Sequence, residues 1–234
     1  MNRKVLVCAL ITIAAVVVIV VTAIVKSGGD SGGTKAEHGT PLAPGITNSL
    51  LSEAELRSAV GDTALVTTNF TGRMGEKPAE VDPAVCEGAS TIAAPGSYIG
   101  VNWLATRVIS ASSPKGQGMH YAAEGLTALD TPEAVRRYMD KVAQAWQDCL
   151  RQTYSTTYAD GSKGTWKMSG INQSDTALTA KSSPVDSKYT CQHALRAEAQ
   201  YIIDVLVCGN DVAYQAQTAA DRLVAKLKKN MQAL

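Results

Sequence analysis

The spacing of apolar residues along this chain predicts three helices. In each of them apolar side chains recur every three or four positions, which gathers them on one helix face. Ser52 fits a capping box with Glu55, and Thr131 precedes Pro132, so both positions are typical helix starts. The predicted helices run from Ser52 to Gly61, from Thr131 to about Arg151, and from a cap at Asn210 or Asp211 to about Met231.

Alternation of apolar and polar residues predicts strands between these helices. Residues 98–110 alternate between apolar and polar side chains, except that Arg107 lies on the apolar side. Residues 119–129 form a second predicted strand after a turn, so we expect the two strands to form a hairpin. Residues 191–199 and 201–208 form a further pair, and the second of them is apolar on both sides, as central strands are. Shorter strands are predicted at 64–74, 154–158, 166–171 and 177–180, with a loop at 75–83 and a helical turn at 82–86.

This order of elements indicates an α+β fold in which helices pack on an antiparallel sheet. Two features of the pair 191–208 bear on its structure. Ala199 and Gln200 are poor turn residues, which argues against a tight hairpin between the two strands. Asp204 interrupts the apolar central strand, and its carboxylate must be paired or solvated because burying an unpaired charge is unfavourable.

An uncharged apolar run from Val5 to Val25 dominates the N-terminus. As a helix it would span about 31 Å at about 1.5 Å per residue, which matches a hydrocarbon core of about 30 Å. Arg3 and Lys4 precede the run, so the positive-inside rule leaves residues 1–4 in the cytoplasm. The alternative is a cleaved signal peptide, but this run is long for one and lacks a convincing small-residue cleavage site. We therefore predict one transmembrane helix at 5–25, held in the lipid bilayer.

The chain beyond this anchor divides into a linker and a domain. Residues 26–47 begin with a Gly- and Ser-rich stretch that predicts a flexible linker, and residues 48–234 are predicted to form an extracytoplasmic domain. The chain has 234 residues, enough for one such domain with an appendage. A net charge of +1 without a basic stripe argues against a nucleic-acid partner. We thus predict a single-pass protein of the plasma membrane with its C-terminal domain outside.

Four of the five cysteines follow the predicted anchor. An even number of cysteines on the exported side of a membrane predicts two disulfides, and the sequence alone allows three pairings. No Cys-x-x-Cys pair is present and the three histidines are scattered, so we predict no metal site and no cofactor. The four cysteines are Cys86, Cys149, Cys191 and Cys208.

Several short motifs lie around the four cysteines and between them. They are Asp82-Pro83-Ala84-Val85-Cys86, Tyr98, Trp103, Trp146-Gln147-Asp148-Cys149, Trp166, Cys191-Gln192-His193-Ala194-Leu195 and Ile203-Asp204-Val205-Leu206-Val207-Cys208-Gly209-Asn210. Together these motifs resemble the PknH-like extracellular sensor domains of mycobacteria, over about residues 48–233. The sequence has no Gly-rich loop followed by a catalytic His-Arg-Asp, so we expect this sensor-type domain without a kinase domain.

The resemblance implies a twisted antiparallel sheet with flanking helices and a deep cleft. It also implies the disulfide pairings Cys86–Cys149 and Cys191–Cys208. Clefts bind ligands with aromatic walls and a few polar groups, so the aromatic and polar side chains of the motifs are the first candidates for a binding site.

Each candidate residue also has a structural interpretation. Trp103 and Trp166 could line a cleft or pack in the core. Arg107 could bind a ligand carboxylate or phosphate, or be an ordinary surface arginine. His193 could touch a ligand, or be a structural polar residue beside a disulfide. The candidate ligand-binding residues are Tyr98, Trp103, Arg107, Trp166 and His193.

The anchor, the linker and the resemblance favour a non-catalytic, sensor-type domain that binds a cell-envelope small molecule, lipid or glycan in a cleft. The alternative is a protein-interaction module that docks onto another envelope protein or a receptor-kinase ectodomain, and a large exposed apolar patch would favour it. An envelope hydrolase has the least support because no Gly-x-Ser-x-Gly motif is present. A Ser or Cys nucleophile within hydrogen-bond reach of His193, or of His120, which we expect to be exposed, would favour the hydrolase.

Overall fold

In the computed structural model of the chain, residues 44–71, 74, 79–114, 120–158 and 160–233 are described. The predicted transmembrane helix at 5–25 and most of the predicted linker lie outside these residues. Within the described part of the chain, no helix is long and apolar enough to cross a membrane. All the described residues belong to one compact unit.

One nine-stranded antiparallel sheet forms the framework of this unit. Its strands are β1 (Val66–Thr71), β2 (Ala79–Asp82), β3 (Trp103–Ser112), β4 (Tyr121–Leu129), β5 (Thr153–Tyr158), β6 (Lys163–Gln173), β7 (Ala177–Pro184), β8 (Thr190–Glu198) and β9 (Tyr201–Gly209). Their order across the sheet is β1-β3-β4-β9-β8-β7-β6-β5-β2, so β1 and β2 are the edges. Every residue of β9 is buried, which confirms the prediction of a central strand.

Helices cover both faces of the sheet, as expected for the predicted α+β class. They are α1 (Pro44–Thr47), α2 (Glu53–Val60), α3 (Glu87–Ser90), α4 (Pro132–Leu150) and α5 (Gln215–Gln232). On one face, α2 and α5 share a core with side chains such as Ile203 of β9 and Leu126 of β4. On the other face, the apolar stripe of α4, including Trp146 and Tyr138, packs on Ile202 of β9.

The predicted N-terminal caps of α2 and α4 are confirmed. Both halves of the capping box between Ser52 and Glu55 are formed, and the Thr131 hydroxyl accepts a hydrogen bond from the Ala134 N–H. The helix α5 begins later than predicted, at Gln215 rather than at Asn210 or Asp211. The Asp211 carboxylate cannot cap the helix because it bonds to His120. The side-chain amide oxygen of Gln215 instead accepts hydrogen bonds from the backbone N–H groups of residues 213 and 214.

Three strand predictions need correction. The strand predicted at 98–110 begins at Trp103, because Tyr98 ends a short 3₁₀ turn over residues 95–98. The loop predicted at 75–83 contains the edge strand β2, which pairs with β5. A tight hairpin does join β8 to β9, since Glu198 pairs with Tyr201, and Ala199 adopts the positive φ of 50° that this turn requires.

Two disulfides are formed, with the pairing that the family resemblance implied. Cys86 is bonded to Cys149 at the buried end of α4, and Cys191 is bonded to Cys208 between the neighbouring strands β8 and β9. The second bridge lies in a small third core cluster that also contains Val108, Ala123 and Leu206. No side chain of α4 belongs to this third cluster.

Candidate functional site

His193 and Asp204 form a buried pair at the centre of the face that α4 covers. Their strands are neighbours, and the register Leu195↔Asp204 and His193↔Leu206 places the two side chains diagonally on one face. The His193 Nε2 atom lies 2.5 Å from the Asp204 Oδ1 atom, and the side chains are 2% and 5% exposed. The structure thus provides the partner that a carboxylate in a central strand needs.

Both ring nitrogens of His193 face an acceptor. Nδ1 lies 3.2 Å from the carbonyl oxygen of Ala89, and Nε2 faces the carboxylate of Asp204. A neutral imidazole donates only one hydrogen bond, so the pair satisfies both contacts only if His193 and Asp204 together carry two protons. His193 therefore uses both nitrogens inside the protein and has neither directed at solvent.

The second oxygen of Asp204 holds a strained loop in place. Its Oδ2 atom accepts a hydrogen bond of 2.8 Å from the backbone N–H of Ala93. Ala93 has a φ of 45°, a conformation that non-glycine residues rarely adopt. The carboxylate thus anchors the segment between α3 and β3 to the centre of the sheet.

Aromatic side chains enclose this pair. The ring centroid of Trp146 lies 4.9 Å from that of His193, and the rings of Tyr98 and Tyr138 are 4.5 Å apart. Burial and the nearby charge of Asp204 raise the pKa of Tyr98, so its phenol stays neutral. Among the described residues, the Trp146 Nε1 atom has no hydrogen-bond partner. Tyr98 and His193 are both buried in the interior of the domain.

The other predicted site residues lie apart. Trp103 is half-buried and packs against the core cluster beneath α4. Arg107 points to the opposite face, because it alternates along β3 with Thr106, whose hydroxyl bonds to Thr127 of β4. Burial lowers the pKa of Arg107. Trp166 alone among the five lies next to the third core cluster, where α4 contributes no side chain.

Around the Cys191–Cys208 bridge lies a group of partly exposed aromatic side chains that we call the aromatic surface. Trp166 and Tyr189 pack on the third core cluster. Tyr121 and Tyr158 are 37% and 39% exposed. Sequence analysis found only Trp166 of this set. Its members come from β4, β5, β6 and the turn before β8: Tyr121, Tyr158, Trp166 and Tyr189.

Two phenols of this surface act on the third, that of Tyr189. The pKa of Tyr189 is raised by burial, and further by the phenols of Tyr158 and Tyr121. Burial also raises the pKa of Tyr121. Trp166 is fixed by a hydrogen bond of 3.0 Å from Nε1 to the Thr156 hydroxyl. Aromatic side chains of this kind can stack on flat apolar groups or sugar rings, and phenols can also donate hydrogen bonds.

A polar pocket of about 320 Å³ lies at the β2 edge of the sheet. It contains none of the five predicted site residues. Three carboxylates in its lining disfavour anionic ligands. The lining residues are Glu80, Val81, Asp82, Ala84, Glu87, Ser155 and Thr157.

His120 is not exposed, contrary to expectation, because its ring lies between two carboxylates. Nδ1 is 2.9 Å from Asp62 Oδ2, Nε2 is 2.8 Å from Asp211 Oδ1, and the side chain is only 13% exposed. The nearby Ser113 hydroxyl donates to Asp62 at 2.5 Å and not to the ring. Burial raises the pKa of Asp62, but hydrogen bonds from Ser113, Ala64 and His120 outweigh it and leave that pKa lowered.

The hydrolase alternative requires a nucleophile bonded to a histidine base. Among the described residues, the ring nitrogens of His120 and His193 bond only to carboxylates and a backbone carbonyl, not to a Ser or Cys side chain. No group of three or more His, Cys, Asp or Glu side chains in the described part of the chain could hold a metal ion. These contacts give no support to the hydrolase.

Comparison with known proteins finds mycobacterial protein kinases among the relatives of this chain. It is 23% identical over 181 residues to the serine/threonine-protein kinase PknH of Mycobacterium bovis, an alignment that covers 77% of this chain and 30% of the kinase. The PknH of Mycobacterium tuberculosis strain H37Rv is also 23% identical over 181 residues, with 29% of the kinase covered. The chain thus spans less than a third of the length of these curated relatives.

The fold matches that of a solved structure. The crystal structure of the extracellular domain of PknH from Mycobacterium tuberculosis superimposes with a TM-score of 0.74 at 22% identity, over 82% of this chain and 99% of that domain. Residues 43–226 match the family described as the PknH-like extracellular domain. This match covers most of the chain and agrees with the sheet and the two disulfides, so the chain belongs to the family of PknH-like extracellular domains.

Proposed function

We propose that this protein is a membrane-anchored, non-catalytic sensor-type domain that binds a cell-envelope ligand on its aromatic surface. The apolar run at 5–25 would anchor it, with residues 1–4 in the cytoplasm and the domain outside. Family membership supports the extracellular placement, and two disulfides fit an oxidising compartment.

The observation that carries the proposal is the aromatic surface itself. Trp166 and Tyr189 pack on the core cluster that contains one disulfide, to which α4 contributes no side chain, and the phenols of Tyr121 and Tyr158 act on Tyr189. Isolated exposed aromatic residues are common on proteins, but a group around a rigid apolar floor is typical of a binding site. Since aromatic side chains stack on flat apolar groups and sugar rings, the ligand we expect is a lipid or glycan that offers such a face.

Native mass spectrometry would test this proposal directly. The full-length chain would be expressed in a mycobacterial host, extracted in detergent and released in the spectrometer. We expect a co-purifying lipid or glycan mass on the wild type and its loss from Tyr189→Ala. Tyr214→Ala is the matched control, because Tyr214 is 70% exposed at the start of α5 and is not part of the aromatic surface.

Two outcomes would contradict the proposal. The first is a wild-type chain that carries no bound mass, even after incubation with an extract of envelope lipids and glycans. This result would contradict ligand binding. In that case crosslinking in the intact membrane would test the alternative of a module that docks onto another envelope protein. A bound mass retained equally by Tyr189→Ala would place the ligand elsewhere, with the polar pocket as the next location to examine.

A further inference from the structure

Residues 46–51, which we call the strap, connect the first short helix to α2 and are buried against the domain. Ile46, Leu50 and Leu51 are at most 6% exposed and belong to the core cluster that α2, α5 and the sheet share. Ser49 is fully buried beside them. The strap includes the end of the predicted linker, so it is the place where the linker meets the folded domain.

Hydrogen bonds from α5 and to β4 hold the strap. Asn230 of α5 donates from Nδ2 to the Ser49 hydroxyl at 2.9 Å, and Lys226 of α5 donates from Nζ to the Leu50 carbonyl at 2.8 Å. The third bond is different, because the Leu51 N–H donates at 2.9 Å to Oε1 of Glu124, a carboxyl group in the middle of β4.

Glu124 is fully buried, and its second oxygen, Oε2, has no hydrogen-bond partner among the described residues. Three charged groups lie around it. Lys226 on α5 is engaged with Leu50 and, at 2.8 Å, with Glu55 of α2. Arg107 lies one diagonal position away on the same face of β3, since Ile109 pairs with Glu124 and Arg107 with Leu126. An ionised Glu124 would place a negative charge in this core without a bonded cation.

We propose that the strap is a proton-operated latch, closed on the domain while Glu124 carries a proton and released more readily once Glu124 ionises. An ionised carboxylate would attract Lys226 away from Leu50 and Glu55, or draw water beneath Leu51. Either change breaks contacts that hold the strap. The neutral carboxyl keeps the Leu51 bond without introducing a charge.

The direction of the pH dependence follows from the two states of Glu124. In the closed strap, burial raises the pKa of Glu124 from its ordinary 4.5 to about 8, although the Leu51 N–H and Lys226 oppose the rise. With the strap open, water reaches the carboxyl and its pKa returns toward the ordinary value. The open fraction therefore grows about tenfold per pH unit between these two values and levels off above the higher one. Acid closes the latch, and a rising pH loosens it.

Hydrogen exchange of the full-length chain in detergent micelles, read by mass spectrometry, would test the latch. After correction for the intrinsic pH dependence of amide exchange, we expect protection of the strap peptide in the wild type to fall by roughly 50- to 100-fold between pH 5.5 and 7.5. In Glu124→Gln, which keeps the shape of the protonated group, strap protection should not change over this range. Glu133→Gln, an exposed acid at the start of α4, is the matched control and should behave like the wild type.

The peptide of β9, residues 201–209, separates local release from unfolding of the whole domain. It should keep its protection while the strap loses its own. The latch is wrong if the wild-type strap shows less than about a threefold change, if Glu124→Gln follows the wild-type profile, or if β9 loses protection together with the strap. The wild-type profile decides the question even if the variant folds poorly.

Discussion

Removal of the Asp204 carboxylate should be among the most destabilising single changes in this domain. In Asp204→Ala, the Nε2 atom of His193 and the N–H of Ala93 both lose their only bonded partner in the described structure. The two groups stay buried, since Asp204 and His193 are 3% and 2% exposed. Breaking a buried pair by removing one partner costs about 3 to 5 kcal/mol in free energy of unfolding. For a domain of this size, that loss lowers Tm by roughly 10 °C.

Urea unfolding of the full-length chain, followed by tryptophan fluorescence, would measure this loss. Trp146 packs on His193, so its emission reports on the region that the substitution changes. Asp148→Ala is the matched control. Asp148 also pairs with a basic side chain, Arg151 at 3.2 Å, and the two side chains are 41% and 74% exposed. Exposed pairs contribute only about 0 to 1 kcal/mol, so the control should barely move the midpoint.

A double-mutant cycle would then separate two contributions to the free energy of unfolding, that of the His193–Asp204 pair and that of the loop bonded through Ala93. His193→Ala should lose less than Asp204→Ala, because Ala93 keeps its partner. The double variant should be less destabilised than the sum of the two single changes, since neither His193 nor Asp204 is left facing the gap of the other, although the Ala93 N–H still loses its acceptor. A loss for Asp204→Ala below about 1 kcal/mol, or one equal to that of Asp148→Ala, would refute the central role given to this pair.

Three further predictions concern stability at other positions. Ser52→Ala removes the hydroxyl that accepts the Glu55 N–H, and should cost about 1 kcal/mol in urea unfolding; no change would mean that α2 does not need its cap. Replacing Cys191 and Cys208 together by Ala should cost about 3 kcal/mol by the loop-entropy model for a separation of 17 residues, and a neutral result in the same assay would contradict that model here. Asp62→Asn should make the free energy of unfolding depend less on pH in the acid range. Burial raises the pKa of Asp62, but its hydrogen bonds lower it overall, so the ionised group stabilises the fold above about pH 4 and this contribution is lost as the pH falls further. If the free energy of unfolding falls equally with acid in variant and wild type, that contribution is excluded.

The sequence predicted best those elements whose signals are local. The caps at Ser52 and Thr131 are decided within four residues, and both are formed. The two-sided apolar pattern of residues 201–208 correctly predicted a central strand. The start of α5 was missed because Asp211, a good capping residue, is drawn into a contact with His120, 91 residues away.

Features that depend on contacts distant in sequence were not predictable in this way. The strand β2 has four residues and pairs only with β5, so it carries too little alternation to stand out from a loop. Ala199 takes a conformation that its residue type disfavours, because the buried strands on both sides fix the hairpin register. Tyr121 and Tyr158 lie on β4 and β5, which four other strands separate in the sheet, and both phenols act on Tyr189 of the turn before β8. No spacing along the chain encodes this arrangement.

The two proposals of binding surface and latch place their key groups on opposite faces of one strand. Along β4, Ala123 belongs to the cluster beneath the aromatic surface, whereas Glu124 points to the α5 side and holds the strap. The next strand, β9, divides its side chains in the same way, with Leu206 on one side and Val205 on the other. The aromatic surface and the strap therefore share the strand β4, because Ala123 lies in the cluster beneath one and Glu124 is bonded to the other.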